Sequence, residues 1–181
     1  YFPESYYDAV SPGQIIYGYM PEGHAETKER AAKLPKFESA LGLFSRVVHI
    51  HKIKAGDTVG YGATYKCNED TWIGTIPIGY ADGYPRCLSN TGEVLIGGRR
   101  YKVAGRVCMD QFMVDATDIE DVQFGDRIIL AGEESGAVVS VDTLADLSGR
   151  FNYEFVCDIN KRVPREYIRG GQVAEQMDYF E

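Results

Sequence analysis

Short, regularly spaced β-strand candidates dominate the chain from Phe37 onward. Side chains alternate between two faces over residues 43–53. Further candidates, separated by turns rich in Gly, Asn and Asp such as Asn90-Thr91-Gly92, lie at residues 72–78, 93–96, 100–107, 111–115, 127–131 and 138–141. Many short strands joined by turns are typical of a barrel or sandwich. We therefore predict a mainly β domain, with one short helix over residues 141–147 capped by Ser140, and one or two further elements between residues 153 and 167.

The first 35 residues differ in character from the β region. The run Gln14-Ile15-Ile16-Tyr17-Gly18 predicts a buried strand that ends at a glycine. A single strand cannot satisfy its own backbone hydrogen bonds, so we expect it to belong to another sheet. Residues 19–36 are polar and alanine-rich and predict a linker, with a domain boundary near Leu34-Pro35. We therefore divide the chain into residues 1–35 and 36–181, and expect it to be part of a longer protein.

The charge of the chain excludes some classes of partner. Lys plus Arg number 19 against 27 Asp plus Glu, which gives a net charge of −8. This balance argues against nucleic acids and anionic membranes as partners. No apolar run approaches the roughly 20 residues of a transmembrane helix, and no signal-peptide pattern is present. The four cysteines show neither CxxC pairing nor the density of a disulfide scaffold, so we expect reduced thiols and a cytoplasmic protein.

Three segments rich in glycine and tyrosine interrupt the β pattern. We name them the Tyr61 segment (residues 60–65, GYGATY), the Tyr80 segment (residues 78–86, IGYADGYPR) and the Met109 segment (residues 105–110, GRVCMD). Glycine allows sharp turns and close approach of a ligand to the backbone. The segments together predict a small-molecule site on loops between strands. Alternatively, they are tight turns whose tyrosines cover the ends of the sheet.

Other groups give weaker indications of chemistry. His49 and His51 share a strand face at a spacing that suits a metal, but no third ligand stands at a partner spacing. Cys108 with Asp110 is a possible nucleophile and companion, although no histidine lies near in sequence. No phosphate-loop or dinucleotide fingerprint is present. A phenol has an unperturbed pKa of about 10, so a tyrosine acts as a base only where neighbours help it. The residue types alone predict a small anionic ligand and possible tyrosine acid–base chemistry.

Several stretches resemble the C-terminal part of alanine racemase, a pyridoxal-phosphate enzyme, in the same order and with compatible gaps. They comprise RVVHI (46–50), AGD (55–57), YGATY (61–65), IGYADG (78–83), GRVCMDQ (105–111), NYE (152–154) and RVPR (162–165). The resemblance implies the C-terminal β-domain of a fold-type III pyridoxal-phosphate enzyme. Residues 1–18 would then be the end of its N-terminal (β/α)8 barrel.

The resemblance also implies a division of labour across a homodimer. The barrel of one subunit holds pyridoxal 5'-phosphate through a lysine outside this chain, and the β-domain of the other supplies Tyr61. Tyr61 removes or returns the α-proton on the L-alanine face, while that lysine serves the D face. Tyr80 lies on the substrate path, Met109 offers its backbone N–H to the substrate carboxylate, and Arg86 and Arg106 line the access corridor. Alanine and a second subunit are therefore the expected partners, with D-alanine for cell-wall peptidoglycan as the product.

The cofactor contacts implied by the resemblance come from both ends of the chain. Tyr153 resembles an inner-gate residue that also contacts the cofactor phosphate, and Gly13 and Gln14 offer backbone N–H groups to it. One departure concerns the pyridine nitrogen, which usually faces an arginine in the family. Ser11 stands there in this chain, and its hydroxyl can still donate a hydrogen bond to an unprotonated pyridine nitrogen.

Three other interpretations stay open on the sequence alone. One is a pyridoxal-phosphate amino-acid decarboxylase, which has a similar two-domain plan. The Tyr61 and Tyr80 segments favour the racemase over this decarboxylase. Another is a serine racemase relative, in which the gate tyrosine tends to be lost, whereas Tyr153 is retained here. The last is a β docking module that has no activity by itself.

Overall fold

The structure is a computed structural model that describes residues 6–19, 37–117 and 122–180. The chain divides into two compact units, Tyr1–Gly42 and Leu43–Glu181. The predicted linker and the boundary near Leu34-Pro35 lie outside the described residues. Within the described part of the chain, no helix is long and apolar enough to cross a membrane.

The predicted strand at residues 14–18 is wrong. Gln14–Tyr17 forms a short 3-10 helix, and Gly18 ends it with a φ of 82°. The Gly18 N–H bonds the Ile15 carbonyl at 3.0 Å and the Tyr19 N–H bonds the Gln14 carbonyl at 3.3 Å, so this stretch satisfies its backbone locally and needs no neighbouring strand. Ile16 is 64% exposed, which shows that the apolar run does not mark a buried strand.

The second unit is mainly β, which confirms the predicted fold class. Its strands are β1 (Leu43–Arg46), β2 (His49–Ile53), β3 (Thr58–Val59), β4 (Tyr65–Lys66), β5 (Thr71–Ile76), β6 (Glu93–Ile96), β7 (Arg99–Ala104), β8 (Phe112–Asp115), β9 (Arg127–Glu134), β10 (Ala137–Val139), β11 (Arg165–Arg169) and β12 (Gln172–Met177). Its helices are α1 (Val141–Ser148) and α2 (Asn152–Asp158), with 3-10 turns at Tyr61–Ala63, Tyr80–Asp82 and Arg86–Leu88.

The main sheet is antiparallel and runs in the order β1-β9-β6-β7-β8-β5-β2, with β10 added to β9. Its two end strands, β1 and β2, are consecutive in the chain and are separated only by Val47 and Val48. The Val47 N–H bonds the Asp126 carbonyl at one end of the sheet, and the Val48 N–H bonds the Thr75 carbonyl at the other. One bent stretch of chain therefore serves both ends of the sheet.

This bend corrects two details of the predicted fold. Residues 43–53 form two strands, because the hydrogen-bonding partner changes at Val47. The sheet is also not closed into a barrel by hydrogen bonds among the described strands. Among the described strands β1 pairs only with β9 and β2 only with β5, so the two end strands do not pair with each other and complete a ring.

Apolar side chains of the sheet and of the two helices form the core. Fully buried members include Ile73, Ile76, Leu95, Phe112, Ile129, Leu144 and Phe155. The Tyr84 ring stacks on Phe112 with a centroid distance of 4.9 Å. The predicted cap of α1 is confirmed, because the Ser140 hydroxyl accepts a hydrogen bond from the Thr143 N–H at 3.0 Å. The tail adds α2 and the exposed β11–β12 hairpin, of which β12 was not predicted.

Two tyrosines of this unit should respond oppositely to loss of the hydroxyl. The Tyr84 hydroxyl is buried without a hydrogen-bond partner among the described residues, whereas Tyr65 donates to Asp115 at 2.5 Å. We expect Tyr84→Phe to raise the free energy of unfolding by about 1 kcal/mol, because an unpaired buried hydroxyl is removed. Tyr65→Phe should lower it by about 1 kcal/mol. Urea denaturation at pH 8 tests both, and a marked loss in Tyr84→Phe would contradict the first expectation.

The same pair predicts how stability changes at alkaline pH. Burial raises the pKa of Tyr84 above its ordinary value, and burial followed by the hydrogen bond to Asp115 raises that of Tyr65. The folded pKa values exceed the unfolded value of about 10. The free energy of unfolding is therefore unaffected by these two phenols below about pH 10, and it falls as the pH rises beyond that value. The Tyr84→Phe variant should therefore lose less stability than the wild type between pH 9 and pH 11.

Candidate active site

The three segments singled out in the sequence meet at one cavity of about 820 Å³. The Tyr61 segment follows β3, the Tyr80 segment follows β5, and the Met109 segment joins β7 to β8. The cavity is lined by Gly60, Tyr61, Tyr80, Cys108, Met109, Asp110, Gln111 and Met113. Loops that lie far apart in the sequence thus form one pocket, as the site interpretation expects and the turn interpretation does not require.

Glycines place the Tyr61 ring at the mouth of the cavity. Gly60 and Gly62 have φ values of 72° and 73°, a left-handed conformation that favours glycine. Between them Tyr61 is 75% exposed. The chain therefore turns sharply on both sides of Tyr61 and presents its ring to the open face of the cavity.

Backbone contacts join the Tyr80 and Met109 segments. The Tyr80 N–H bonds the Cys108 carbonyl at 3.0 Å, and the Ala81 N–H bonds the Met109 carbonyl at 3.0 Å. This approach requires a glycine at position 79, since a Cβ there would lie 2.2 Å from the Cys108 oxygen and 2.3 Å from the Met109 oxygen. Gly79 thus lets the two segments lie in direct contact.

An ion-pair network fixes the same two segments from the side. The Arg162 guanidinium donates to Asp110 Oδ1 at 2.6 Å, and its Nε lies 3.5 Å from Asp82 Oδ1. The other Asp82 oxygen accepts the Gly79 N–H at 2.8 Å. The hydrogen bond to Asp110 and the charge of Asp82 raise the pKa of Arg162, so this arginine stays charged. Arg162 therefore links the RVPR stretch to both segments.

Met109 leaves a backbone donor available in the cavity. The Cys108 N–H bonds the Gln111 carbonyl at 2.8 Å, but no backbone or side-chain acceptor among the described residues receives the Met109 N–H. The Met109 residue is 53% exposed. A free N–H beside a cavity can bind a carboxylate oxygen, which is the role implied for Met109.

The two predicted arginines lie near the cavity but do not line it. Arg86 lines a second cleft of about 310 Å³ that shares Tyr80 with the first. Arg150 and Asp158, which also line this cleft, form an ion pair with each other. Arg106 lies beside Gly62, where an added Cβ would be 3.7 Å from its Nε. Neither Arg86 nor Arg106 forms an ion pair within the described part of the chain, so both charges remain available to an anion.

None of the predicted cofactor-binding residues is among those that line this cavity. Tyr153 is half-buried in α2 and does not line the cavity. Ser11, Gly13 and Gln14 belong to the first unit, where Ser11 and Gly13 are exposed. The Gln14 side chain is buried, and its amide has no hydrogen-bond partner among the described residues.

The alternative chemistries gain no support from the described residues. His49 and His51 are exposed with ring centroids 4.8 Å apart, and the described part of the chain holds no group of three potential metal ligands. Cys108 is buried, and the Asp110 carboxylate is engaged by Arg162. A Cys108–Asp110 nucleophile is therefore disfavoured relative to a site built around Tyr61.

Residues 40–167 match the family described as alanine racemase, C-terminal domain. The chain belongs to the alanine racemase family. Alanine racemase 1 of Clostridium acetobutylicum is 41% identical over 177 residues, which cover 98% of this chain and 45% of that protein. The alanine racemase of Clostridium perfringens is 44% identical over 178 residues, with the same coverage. The chain thus spans less than half the length of these alanine racemases.

Solved structures agree with this family assignment. The alanine racemase of Bacillus anthracis with bound L-Ala-P superposes with a TM-score of 0.82 and 39% identity, over 91% of this chain and 41% of that one. The Clostridium difficile alanine racemase in complex with cycloserine gives a TM-score of 0.80 and 35% identity, over 92% of this chain and 42% of that one. The fold of this chain is therefore that of the C-terminal part of alanine racemases.

Proposed function

We propose that this chain is the C-terminal part of an alanine racemase that interconverts L-alanine and D-alanine with pyridoxal 5'-phosphate, and that D-alanine serves peptidoglycan synthesis. The observation that carries the proposal is the shared cavity of Tyr61 and Met109, in a chain of this family. It places a phenol and an unpaired N–H around one space, as proton transfer to an amino acid held by its carboxylate requires.

The residues of this chain fit the cofactor that the family implies. The Gly13 N–H finds no acceptor among the described residues, and the Gln14 N–H begins a helix, where N–H groups lack internal partners. The buried Gln14 amide is likewise unpaired. Together with the Ser11 hydroxyl, these donors of the first unit suit a phosphate and a pyridine ring. When bound, pyridoxal phosphate withdraws electrons from the amino-acid α-carbon.

Each residue at the cavity then has a distinct task. The Met109 N–H holds the substrate carboxylate, while Arg86 and Arg106 attract the anionic group on its way in. On the L face, the deprotonated Tyr61 oxygen removes the α-proton, and the Tyr61 hydroxyl so formed returns it in the opposite direction. Tyr80, which borders both clefts, lies on the path between them. An opposing base on a lysine outside this chain serves the D face, because racemisation requires one base on each face.

A second subunit is needed to complete this site. Tyr61 and Met109 are largely exposed in the chain alone, which leaves the reacting face open to water. We infer that the cofactor-bearing barrel of a homodimer partner covers this face and excludes water from the reaction. The residues at the cavity mouth would then belong to an interface between subunits.

The direct test is racemisation by the full-length protein that contains this chain. We expect it to convert L-alanine to D-alanine and the reverse, and to sediment as a dimer. The chain 1–181 tested alone should be inactive with added pyridoxal phosphate, since the opposing base is missing. Carbon dioxide release from a basic amino acid would replace this proposal with the decarboxylase. Lack of any amino-acid chemistry in the dimeric, cofactor-loaded protein would leave a docking module.

A further inference from the structure

We propose that Ser89 and Asn90 form a positioning bridge that sets the Tyr61 and Tyr80 segments at a fixed distance from the Met109 segment. The two residues lie between the Arg86–Leu88 3-10 helix and β6, where the sequence predicted only a turn at Asn90-Thr91-Gly92. Neither lines the cavity. The catalytic part of this inference rests on the proposed racemase function.

Asn90 connects the Tyr61 segment to the Met109 segment. Its Oδ1 accepts the Gly105 N–H at 2.7 Å, and its Nδ2 donates to Thr64 Oγ1 at 3.2 Å. The residue has a φ of 61°, a left-handed conformation that asparagine tolerates better than most side chains. One amide group therefore spans two loops that come from different parts of the sheet.

Ser89 makes the corresponding link from the Tyr80 segment. Its hydroxyl accepts the Val107 N–H at 3.0 Å and donates to the Arg86 carbonyl. Ser89 and Asn90 together thus contact all three segments that meet at the cavity. Their acceptors receive two alternate N–H groups of the Met109 segment, Gly105 and Val107.

The Asn90 and Ser89 side chains bond backbone N–H groups that have no partner strand. β7 ends at Ala104 and β8 begins at Phe112, so the Met109 segment lies outside the strand pairing. Gly105 has a φ of 81°, and a Cβ there would lie 2.7 Å from the Val59 carbonyl. The backbone at Gly105 is consequently pressed against the end of β3, and the Asn90 side chain satisfies its N–H.

The bridge acts on catalysis through distance. Tyr61 and the Met109 N–H must be placed correctly around one substrate, and an error of 1 Å can lower a rate by about 10²-fold. Asn90 holds the segment of each of these groups without touching the space between them. We therefore assign Asn90 and Ser89 a positioning role and not a catalytic one.

The test compares three variants of the full-length dimer with the wild type. Asn90→Gly removes the bridge and accepts the positive φ without strain, and should lower kcat about tenfold. Asn90→Asp keeps an acceptor for Gly105 and for the Thr64 hydroxyl, and should retain most of the activity. Thr91→Ala is the matched control, because among the described residues the Thr91 hydroxyl bonds only the Cys87 carbonyl, four positions earlier; its kcat should equal that of the wild type.

Deuterium isotope effects distinguish a displaced Tyr61 from a general loss of rigidity in the Asn90→Gly variant. If Asn90→Gly displaces Tyr61, proton transfer on the L face becomes slower relative to the D face. The deuterium isotope effect with α-deuterated L-alanine should then rise, and that with α-deuterated D-alanine should fall. Unchanged isotope effects with reduced activity, or a kcat equal to that of Thr91→Ala, would overturn the inference.

Amide hydrogen exchange tests the bridge independently of activity. Asn90→Gly should speed exchange at Gly105 and leave Val107 unchanged, whereas Ser89→Ala should do the reverse. Unchanged exchange at both amides would show that the bridge does not exist. A wild-type protein that fails to racemise alanine would instead remove the proposed function, and exchange would still decide whether the bridge holds the segments.

Discussion

Replacing Tyr61 with phenylalanine is expected to lower racemisation of alanine by the full-length protein by a factor of about 10² to 10⁴, the usual contribution of a positioned acid–base group. The change removes only the hydroxyl that is proposed to carry the α-proton on the L face. Tyr61 is exposed and its hydroxyl forms no hydrogen bond within the described part of the chain, so folding should not change. Activity is measured from both L-alanine and D-alanine.

Tyr65→Phe is the matched control for this substitution. Tyr65 lies in the same YGATY stretch, but its hydroxyl donates to Asp115 and does not border the cavity. It should lower stability slightly and leave kcat within about twofold of the wild type. If Tyr61→Phe retains full activity in both directions while its thermal midpoint is unchanged, Tyr61 is not the base.

Replacing Gly79 with alanine should produce the largest loss of stability among these variants, about 3 kcal/mol, together with loss of activity. The added methyl would lie within 2.3 Å of the Cys108 and Met109 carbonyl oxygens, so the two segments must separate. Separation breaks the Tyr80 and Ala81 N–H bonds to those carbonyls. The figure combines an overpacking cost with the loss of two hydrogen bonds.

Gly56→Ala controls for the general effect of a methyl group on a glycine of this domain. Gly56 has a φ of 93°, and a Cβ there meets no atom within 4 Å. Its cost should be about 1 kcal/mol, from the left-handed backbone alone. Urea denaturation of both variants gives the comparison. Equal costs at positions 56 and 79 would show that the Tyr80 and Met109 segments are not in tight contact.

Local patterns were sufficient to predict most of the β-domain. Alternation and turn residues located β6 and β8 closely, and Ser140 with the following apolar positions predicted α1. The predicted strand at residues 14–18 was wrong because three consecutive apolar residues fit a short helix as well as a strand. The break at Val47 also could not be predicted, since it arises from a change of pairing partner that local alternation does not encode.

The sequence was sufficient to predict which segments form the candidate site, but not which side chains hold those segments together. Paired glycines around Tyr61, and the glycine before Tyr80, indicated tight backbone approach, and the structure brings these segments to one cavity. Arg162 lies 52 residues from Asp110, so no sequence spacing could pair them. Ser89 and Asn90 have the composition of an ordinary turn, and only the fold shows what their side chains bond.

The bent stretch that forms β1 and β2 has a consequence for synthesis of the protein. β2 ends at Ile53 and its partner β5 begins at Thr71, whereas β1 ends at Arg46 and its partner β9 begins at Arg127, which is 127 − 46 = 81 positions later. At roughly 5–20 residues per second, β1 leaves the ribosome roughly 4 to 16 seconds before its partner. During that interval its unpaired edge is open to other nascent chains. Substitutions that make β1 pair more weakly should therefore lower the yield of folded protein from cells, even where the protein that is recovered has an unchanged stability.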